Sequence, residues 1–368
     1  MMSTISVETL RRWLEEQRDV LMLDVRSSAD YQEWAIPGCL HVDAYEALKR
    51  HDPEALSGVT LPTDRPIVTV CGAGKTSQIA AQQLAARGLQ ASSLEGGMKA
   101  WSLAWNTAEI PLAQSRVRVI QVRRTGKGCL SYLISDEKIA FVIDASLDSQ
   151  VYLDLAAQQG WQIIYVLDTH IHADHLSRSL QLAEKAGVSL LLPDQQRVSF
   201  PFTPLRDGMT VETGAIQLTA IHTPGHTSES TCYLLNNRVL FTGDTLSLSG
   251  VGRPDLHTTQ EAAQARAEVL YHSLHKLLSL AAETLVLPGH TSQPVPFDGV
   301  PIETSLAQVN AQIEMLHLTR ADFVHQLLSR LPAPPPNYKQ IVKLNEQGRL
   351  PDGPVVELEA GANRCAIF

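Results

Sequence analysis

The sequence predicts two consecutive domains, an α/β domain over residues 1–105 and a larger domain of mixed helices and strands over residues 116–330. In the first, short apolar runs alternate with helical patterns, which is typical of a parallel sheet with crossover helices. In the second, four apolar runs each lead into a turn that carries histidine or aspartate. A chain of 368 residues, 44% of them hydrophobic, is long enough to bury two cores.

A reactive cysteine is predicted in the first domain. Residues 67–70 form an apolar run typical of a strand, Cys71 follows directly, and a helical pattern begins after a short loop. Backbone N–H groups and the helix dipole favour a thiolate at such a position. We expect Gly72 and Gly74 to let the backbone approach the sulfur, and Lys75 to add positive charge if its side chain turns inward.

Two other interpretations of this loop fail at single positions. The phosphate-binding loop of nucleotide hydrolases needs glycine where this chain has Thr69. A cysteine-dependent phosphatase needs arginine where this chain has Ser77. The loop is therefore interpreted as a site for sulfur chemistry at Cys71.

The second domain carries a cluster of metal-binding side chains. Residues 163–167 are typical of a buried strand, and the segment after them holds three histidines and one aspartate. Single candidates follow three later apolar runs. Groups crowded at strand ends would repel one another or lack partners unless a cation neutralised them, so the pattern predicts a metal site. The seven candidates are His170, His172, Asp174, His175, His226, Asp244 and His290.

The order and spacing of these residues resemble the metallo-β-lactamase superfamily, with its H-x-H-x-D-H motif. The resemblance implies an α+β fold, an αββα sandwich with metals at one edge, and leaves two activities open. The first is a glyoxalase-II-like hydrolase that splits a glutathione thioester with two zinc ions or mixed iron and zinc. One ion would be bound by His170, His172 and His226, and the other by Asp174, His175 and His290, with Asp244 bridging.

The second activity is that of the persulfide dioxygenases, which the chain also resembles. That resemblance implies one iron(II) per chain, with positions left open for a persulfide and O₂. The stretch from Gly243 to Asp255 is similar to that family's G-D-x-L…G-x-G-R-x-D segment, which implies that Arg253 binds a carboxylate of glutathione and is fixed by Asp255. The implied iron ligands are His170, His226 and Asp244, with His172, Asp174, His175 and His290 orienting them.

The first domain resembles the rhodanese (sulfurtransferase) family. The resemblance implies that Cys71 carries sulfur as a persulfide. A sulfur-carrying domain and a persulfide dioxygenase act on the same kind of sulfur, so their fusion makes chemical sense. A thioester hydrolase has no chemical reason to be joined to a sulfur-carrying domain. The segments that carry the resemblance are Leu23-Asp24-Val25-Arg26, Ile36-Pro37-Gly38, the Cys71 loop and Glu95-Gly96-Gly97-Met98-Lys99-Ala100-Trp101.

We therefore predict iron-dependent oxidation of glutathione persulfide, or a similar small persulfide, by O₂ to sulfite and thiol, coupled to sulfur transfer at Cys71. In the alternative, a rhodanese-like domain that only docks a partner accompanies a dinuclear thioester hydrolase. Replacing Cys71 by serine separates a carrier from a docking domain. The metal content separates the two metal chemistries.

The remaining segments and the composition complete the prediction. Residues 106–115 are expected to be a linker, and residues 331–368 a Pro-rich extension on the metal domain. The helical pattern before that extension covers the domain's flank or pairs with a second subunit in a homodimer. A net charge of −9 without a basic block argues against nucleic acid, and no apolar run is long enough for a membrane span. Five cysteines without C-x-x-C pairing favour the reducing cytoplasm, with Cys129 and Cys232 as packing residues.

Overall fold

A computed structural model describes residues 3–256, 258–361 and 364–367 of the chain. Its N-terminal part is a five-stranded sheet in the order β1-β5-β4-β2-β3, and every pairing in it is parallel. Helices join the strands, as the alternating pattern predicts. The strands are β1 (Thr4–Ile5), β2 (Leu21–Asp24), β3 (Leu40–His41), β4 (Ile67–Val70) and β5 (Ala91–Leu94). The helices are α1 (Val7–Glu15), α2 (Ser28–Glu33), α3 (Tyr45–Lys49), α4 (Lys75–Ala86) and α5 (Gly97–Trp101).

The larger domain begins with a seven-stranded sheet in the order β12-β11-β10-β9-β8-β7-β6. Two helices connect its parallel part. The strands are β6 (Asn106–Ile110), β7 (Val117–Arg123), β8 (Leu130–Asp136), β9 (Ile139–Ile143), β10 (Gln162–Leu167), β11 (Ser189–Pro193) and β12 (Thr203–Leu205). The helices are α6 (Ser149–Gln159) and α7 (Ser179–Ala186).

A six-stranded sheet in the order β13-β14-β15-β16-β18-β19 follows, and β17 pairs with β20 outside it. Its strands and those of the small pair are β13 (Thr210–Thr213), β14 (Ile216–His222), β15 (Thr231–Leu235), β16 (Val239–Gly243), β17 (Val251–Gly252), β18 (Leu285–Pro288), β19 (Thr304–Ser305) and β20 (Ala366–Ile367). The helices are α8 (Gln260–Leu278), α9 (Leu306–Gln312), α10 (Arg320–Ser329), α11 (Tyr338–Gln347) and α12 (Val356–Glu359), with a 3₁₀ turn at Glu314–His317.

The two sheets of the larger domain face each other across one apolar core. In β7, Val119 lies in that core, whereas Ile120 lies in the layer under α6 and α7, because successive side chains of a strand point to opposite faces. Helices α8, α9 and α10 cover the outer face of the second sheet. The arrangement confirms the predicted αββα sandwich. It also places the helices after residue 302 on the domain's flank.

The predicted linker is partly wrong. Asn106–Ile110 is the edge strand β6, paired with β7 along its whole length, because the alternating burial of its side chains lets it extend the sheet. Only the residues between Ile110 and Val117, which connect β6 to β7, have no regular structure.

The two domains are in direct contact. Arg124 donates from Nε to the carbonyl of Ser102 at 2.7 Å, and the ring of Trp101 lies against Phe297 with centroids 6.0 Å apart. Gly126 is required here, since a Cβ atom at that position would lie 1.9 Å from the carbonyl oxygen of Trp101. The C-terminal segment adds ion pairs from Glu357 to Lys99 and from Arg364 to Glu33. No helix in the described part of the chain is both long and apolar enough to cross a membrane.

Candidate metal centre

All seven predicted metal-binding residues lie in loops that follow strand ends of the sandwich, and all seven are buried. The segment from His170 to His175 follows β10. Strands β16 and β18 are parallel neighbours with Gly243 paired to Pro288, so Asp244 and His290 leave the sheet side by side. This shared edge brings residues that are more than a hundred positions apart in the chain into one cluster.

Three donor atoms converge at the centre of the cluster. Asp244 Oδ2 lies 3.6 Å from His170 Nε2 and 3.7 Å from His226 Nε2. None of these atoms has a hydrogen-bond partner among the residues that the structure describes. Unpaired buried polar atoms are costly and need an explanation. Two imidazole nitrogens and a carboxylate oxygen suit a divalent cation such as iron(II), so these residues fit the predicted metal.

Neighbouring groups fix the direction of each donor. His170 Nδ1 donates to Thr169 Oγ1 at 2.9 Å, and the Thr169 hydroxyl donates to Asp144. His226 Nδ1 donates to the carbonyl of Arg253 at 2.9 Å. Both rings are therefore held as tautomers with a free lone pair on Nε2, as metal-binding histidines require.

The protonation states of the three residues also suit a cation. Burial and the neighbouring His170 lower the pKa of His226 to about 4, so its ring is neutral. Burial opposes ionisation of Asp244, yet His290 and His170 together hold the pKa of its carboxyl well below the usual range. Burial also opposes the charge of His170, but the Asp244 carboxylate raises the pKa of this ring. A cation would take over the role of that proton.

The other four predicted residues divide into two groups. His290 Nδ1 donates to Asp244 Oδ1, and His290 Nε2 lies 3.0 Å from Asp174 Oδ2. His175 Nδ1 contacts Asp174 Oδ1 at 3.0 Å. His172 turns the other way, with Nε2 at 3.3 Å from Asp144 Oδ1, while its Nδ1 has no hydrogen-bond partner within the described ranges.

The prediction that Cys129 only fills space is wrong. Its sulfur lies 3.5 Å from Asp174 Oδ2 and 3.7 Å from His175 Nδ1. An antiparallel bridge between Cys129 and His290 places the thiol there, and such a bridge leaves no local pattern in the sequence. Burial and the Asp174 carboxylate raise the pKa of this thiol, but His175 and His290 together outweigh them and lower it to about 7.

The prediction that Arg253 binds substrate is also corrected. Its side chain is buried, and its guanidinium donates to both oxygens of Asp255 and to backbone carbonyls. All of its N–H groups point to protein acceptors, so none remains for a glutathione carboxylate. Asp255 does hold Arg253 as predicted. The carbonyl acceptors are those of Pro332, Ala333 and Arg364.

The C-terminal extension holds the loop that carries the metal-binding motif, and sequence reasoning missed these residues. Asn345 donates to the carbonyls of His172 and His175 at 2.8 and 2.9 Å. Glu359 is fully buried and accepts from the backbone N–H of Leu176 at 2.8 Å. Arg124 and Arg178 neutralise the Glu359 carboxylate, at 2.6 and 3.2 Å.

A small pocket is lined by His170 and His172. Asn345, Gln195 and the exposed Arg349 also line it. No hydrogen bond or ion pair of the Arg349 side chain is found within the described residues, so its guanidinium is available to a negatively charged ligand.

Cys71 lies where the sequence predicts it, between β4 and α4. Its thiol is buried and accepts a hydrogen bond from the Ser77 hydroxyl at 3.2 Å. Gly74 has a left-handed backbone, with φ of 81°, and a Cβ there would lie 2.9 Å from the nitrogen of Gly96. Gly72 accepts through its carbonyl from Lys99 N at 3.0 Å. Lys75 is exposed rather than turned inward.

Comparisons with known proteins match both domains. Residues 124–290 match the metallo-β-lactamase superfamily, and residues 6–104 match the rhodanese-like domain. A hydroxyacylglutathione hydrolase of Rhizobium johnstonii is 33% identical over 163 residues, which are 43% of this chain and 60% of the hydrolase. The chain thus spans less than two thirds of that relative.

Two solved structures are also similar. A metallo-β-lactamase from Staphylococcus aureus is 25% identical with a TM-score of 0.60, and the match covers 65% of this chain and 76% of that one. ETHE1 from Myxococcus xanthus is 30% identical with a TM-score of 0.51, and the match covers 66% of this chain and 98% of that one.

Proposed function

Because this chain belongs to the metallo-β-lactamase superfamily and carries an N-terminal rhodanese-like domain, we propose that it is an iron(II)-dependent persulfide dioxygenase coupled to sulfur transfer at Cys71. The substrate is a small persulfide such as glutathione persulfide. With RSSH, O₂ and one water consumed, the products are the thiol RSH, sulfite and two protons.

The two oxygens of Asp244 carry this proposal. Oδ2 faces His170 and His226, whereas Oδ1 accepts the Nδ1–H of His290. A dinuclear hydrolase that used this carboxylate as a two-oxygen bridge would need Oδ1 for its second metal. The donor atoms of His170, His226 and Asp244 lie within 4.8 Å of one another, whereas His172, a further ligand in the hydrolase scheme, groups with Asp144 and Asp168. This arrangement favours one cation held by two imidazoles and one carboxylate.

The roles of the chain's own residues follow. His170, His226 and Asp244 would hold iron(II), which supplies the redox chemistry and open coordination positions for O₂ and a persulfide. Thr169 and the carbonyl of Arg253 keep the two imidazoles in the ligating tautomer. Burial of the site excludes bulk water.

Arg349 is the proposed anchor for the substrate. Arg349 lines the same pocket as His170, and the carboxylates of glutathione are natural partners for its guanidinium. This assignment takes the place of Arg253, which is saturated by protein acceptors.

Cys71 is proposed to take sulfur from a donor as a persulfide and to pass it to the small thiol. The helix that begins at Lys75 and the Ser77 hydroxyl would stabilise its negative charge. The metal domain would then oxidise the persulfide that Cys71 produces.

Oxygen uptake tests the proposal. Protein loaded anaerobically with iron(II) should consume O₂ and form sulfite when glutathione persulfide is added. An Asp244→Ala variant should not, while Asp154→Ala, which removes an exposed carboxylate on α6, should behave as the wild type. Uptake by the wild type no faster than by Asp244→Ala would contradict the proposal.

A second candidate is the glyoxalase-II-like hydrolase, favoured by the match to hydroxyacylglutathione hydrolases. Zinc-loaded protein that hydrolyses glutathione thioesters, with no O₂ uptake by the iron form, would establish it.

A further inference from the structure

Arg124 joins three parts of the molecule that lie far apart in the chain. It directly follows β7, and its side chain is fully buried. Nε donates to the carbonyl of Ser102 in the N-terminal domain at 2.7 Å, and one terminal nitrogen donates to the carbonyl of Ser146 at 3.1 Å. The other terminal nitrogen forms an ion pair with Glu359, in the C-terminal extension, at 2.6 Å. One side chain therefore connects the two domains and the extension.

Ser102 is held firmly on the side of the N-terminal domain. It directly follows α5, and its N–H donates to the carbonyl of Met98 at 3.0 Å. Met98 N donates in turn to the carbonyl of Cys71 at 2.8 Å, so α5 is bound to the Cys71 loop. The carbonyl that Arg124 contacts is therefore part of the backbone that surrounds Cys71.

Glu359 carries the connection from Arg124 to the metal-binding loop. One of its carboxylate oxygens accepts from Arg124, and the other accepts the backbone N–H of Leu176 at 2.8 Å. Leu176 directly follows His175, the last residue of the metal-binding motif. Burial opposes the charge of Glu359, but Arg124 and Arg178 hold the pKa of its carboxyl below the usual value. Both oxygens therefore remain hydrogen-bond acceptors.

A short series of side chains leads from this loop to a proposed iron ligand. His175 Nδ1 lies 3.0 Å from Asp174 Oδ1, and Asp174 Oδ2 lies 3.0 Å from His290 Nε2. His290 donates from Nδ1 to Asp244. A shift of the backbone at Leu176 would therefore reach the group that orients Asp244, although the ligands themselves are unchanged.

Stability alone accounts poorly for the ion pair between Arg124 and Glu359. Both side chains are fully buried. Taking two charges out of water costs free energy, and apolar side chains of similar volume often stabilise a protein as well as a buried ion pair does. A guanidinium, however, presents its donors in a fixed planar fork, so it sets the distance and direction of the groups that it binds. The pair therefore supplies geometry more than stability.

We propose that Arg124 is a positioning residue for the metal centre. Through Glu359 it fixes the metal-binding loop to the N-terminal domain, so the geometry of the iron site depends on the contact between the two domains. Arg124 itself takes no part in the chemistry. The inference rests on the proposed function only in assigning iron to His170, His226 and Asp244.

A comparison of Arg124→Met with Arg123→Met tests the inference. Arg123 is a matched control, because it is also buried and its acceptors, which include Asp298, lie outside the metal-binding loop. The electron paramagnetic resonance spectrum of the iron(II)–nitric oxide adduct reports the ligand geometry. We expect Arg124→Met to change this spectrum and to lower the affinity for iron(II) by roughly 10-fold. Arg123→Met should lower stability but keep the spectrum and the affinity of the wild type.

Gly126→Ala tests the domain contact without removing any charge. A Cβ atom at Gly126 would lie 1.9 Å from the carbonyl oxygen of Trp101, so the junction between the domains must shift. This variant should also change the iron spectrum. Gly58→Ala is its control, because no atom lies within 4 Å of a Cβ at that position, and it should leave the spectrum unchanged.

The inference is overturned if Arg124→Met keeps the spectrum and affinity of the wild type, or if Arg123→Met changes them equally. Should Arg124→Met fail to fold, Gly126→Ala decides, and an unchanged spectrum in that variant would refute the inference. If the wild type does not bind iron, cobalt(II) takes its place, because its visible spectrum also reports ligand geometry. Oxygen uptake is not measured, so this outcome is independent of the proposed activity.

Discussion

His290 holds Asp244 by donating its Nδ1–H to Oδ1, so that Oδ2 is the carboxylate oxygen that faces His170 and His226. His290 therefore sets the direction of the proposed iron ligand Asp244. Side chains that orient a ligand affect metal binding without touching the metal.

Replacing His290 should weaken iron binding. We expect His290→Ala to lower the affinity for iron(II) by roughly 10- to 100-fold, because Asp244 loses the donor that orients it. Competition with a chelator of known affinity measures this. His290→Asn, which keeps a donor group, serves as the control and should lose less. Equal affinity of His290→Ala and the wild type would show that Asp244 does not depend on His290.

Metal removal should separate the two candidate activities. After chelation, iron(II) but not zinc should restore O₂ uptake with glutathione persulfide. Asp174→Asn should still bind iron at the site of His170 and Asp244, because Asp174 belongs to a separate group of donor atoms with Cys129, His175 and His290. Loss of all metal in Asp174→Asn would instead indicate a shared dinuclear site.

Arg253 should matter for stability rather than for substrate binding. Arg253→Ala leaves Asp255 and three backbone carbonyls without their donor. We expect unfolding free energy to fall by about 3 kcal/mol, as for the breaking of a buried ion pair. Urea denaturation measures it. If Arg253→Ala left stability unchanged but raised KM, Arg253 would be a substrate-binding residue after all.

Arg349 should set the KM for the persulfide. Loss of a charge-assisted hydrogen bond to a carboxylate should raise KM by roughly 10-fold in Arg349→Ala, with kcat little changed. Lys343→Ala removes another exposed cation, on α11 but outside the pocket, and should leave KM unchanged. Equal effects of both changes would point to general electrostatic attraction.

Cys71→Ser should abolish sulfur transfer but leave oxidation of supplied glutathione persulfide intact. The reason is that Cys71 lies in the other domain, in its own loop between β4 and α4. Transfer from a sulfur donor to glutathione, followed with and without O₂, measures both steps. Retained transfer in Cys71→Ser would make the N-terminal domain a docking unit.

Much of this architecture could be predicted because its signals are local. The metal-binding candidates follow apolar runs, and Cys71 follows another. The same short segments therefore predict both where a strand ends and which reactive side chain lies there. The position of Cys129 depends on an antiparallel bridge to His290, and that of Glu359 on an ion pair with Arg124. Such contacts join segments that are far apart in the chain, so they cannot be predicted from the periodicity of the sequence. Arg253 shows the converse, since its motif was recognisable but its acceptors were not.

The hydrogen bond from the backbone N–H of Leu176 to Glu359 has a consequence for biosynthesis. The loop that carries His170 to His175 is made midway through translation, but its last backbone partner is made nearly two hundred residues later. A ribosome-bound chain that stops before Glu359 would carry the ligands without the group that closes their loop. The contact that closes the ligand-bearing loop therefore forms only after almost the whole chain has been made.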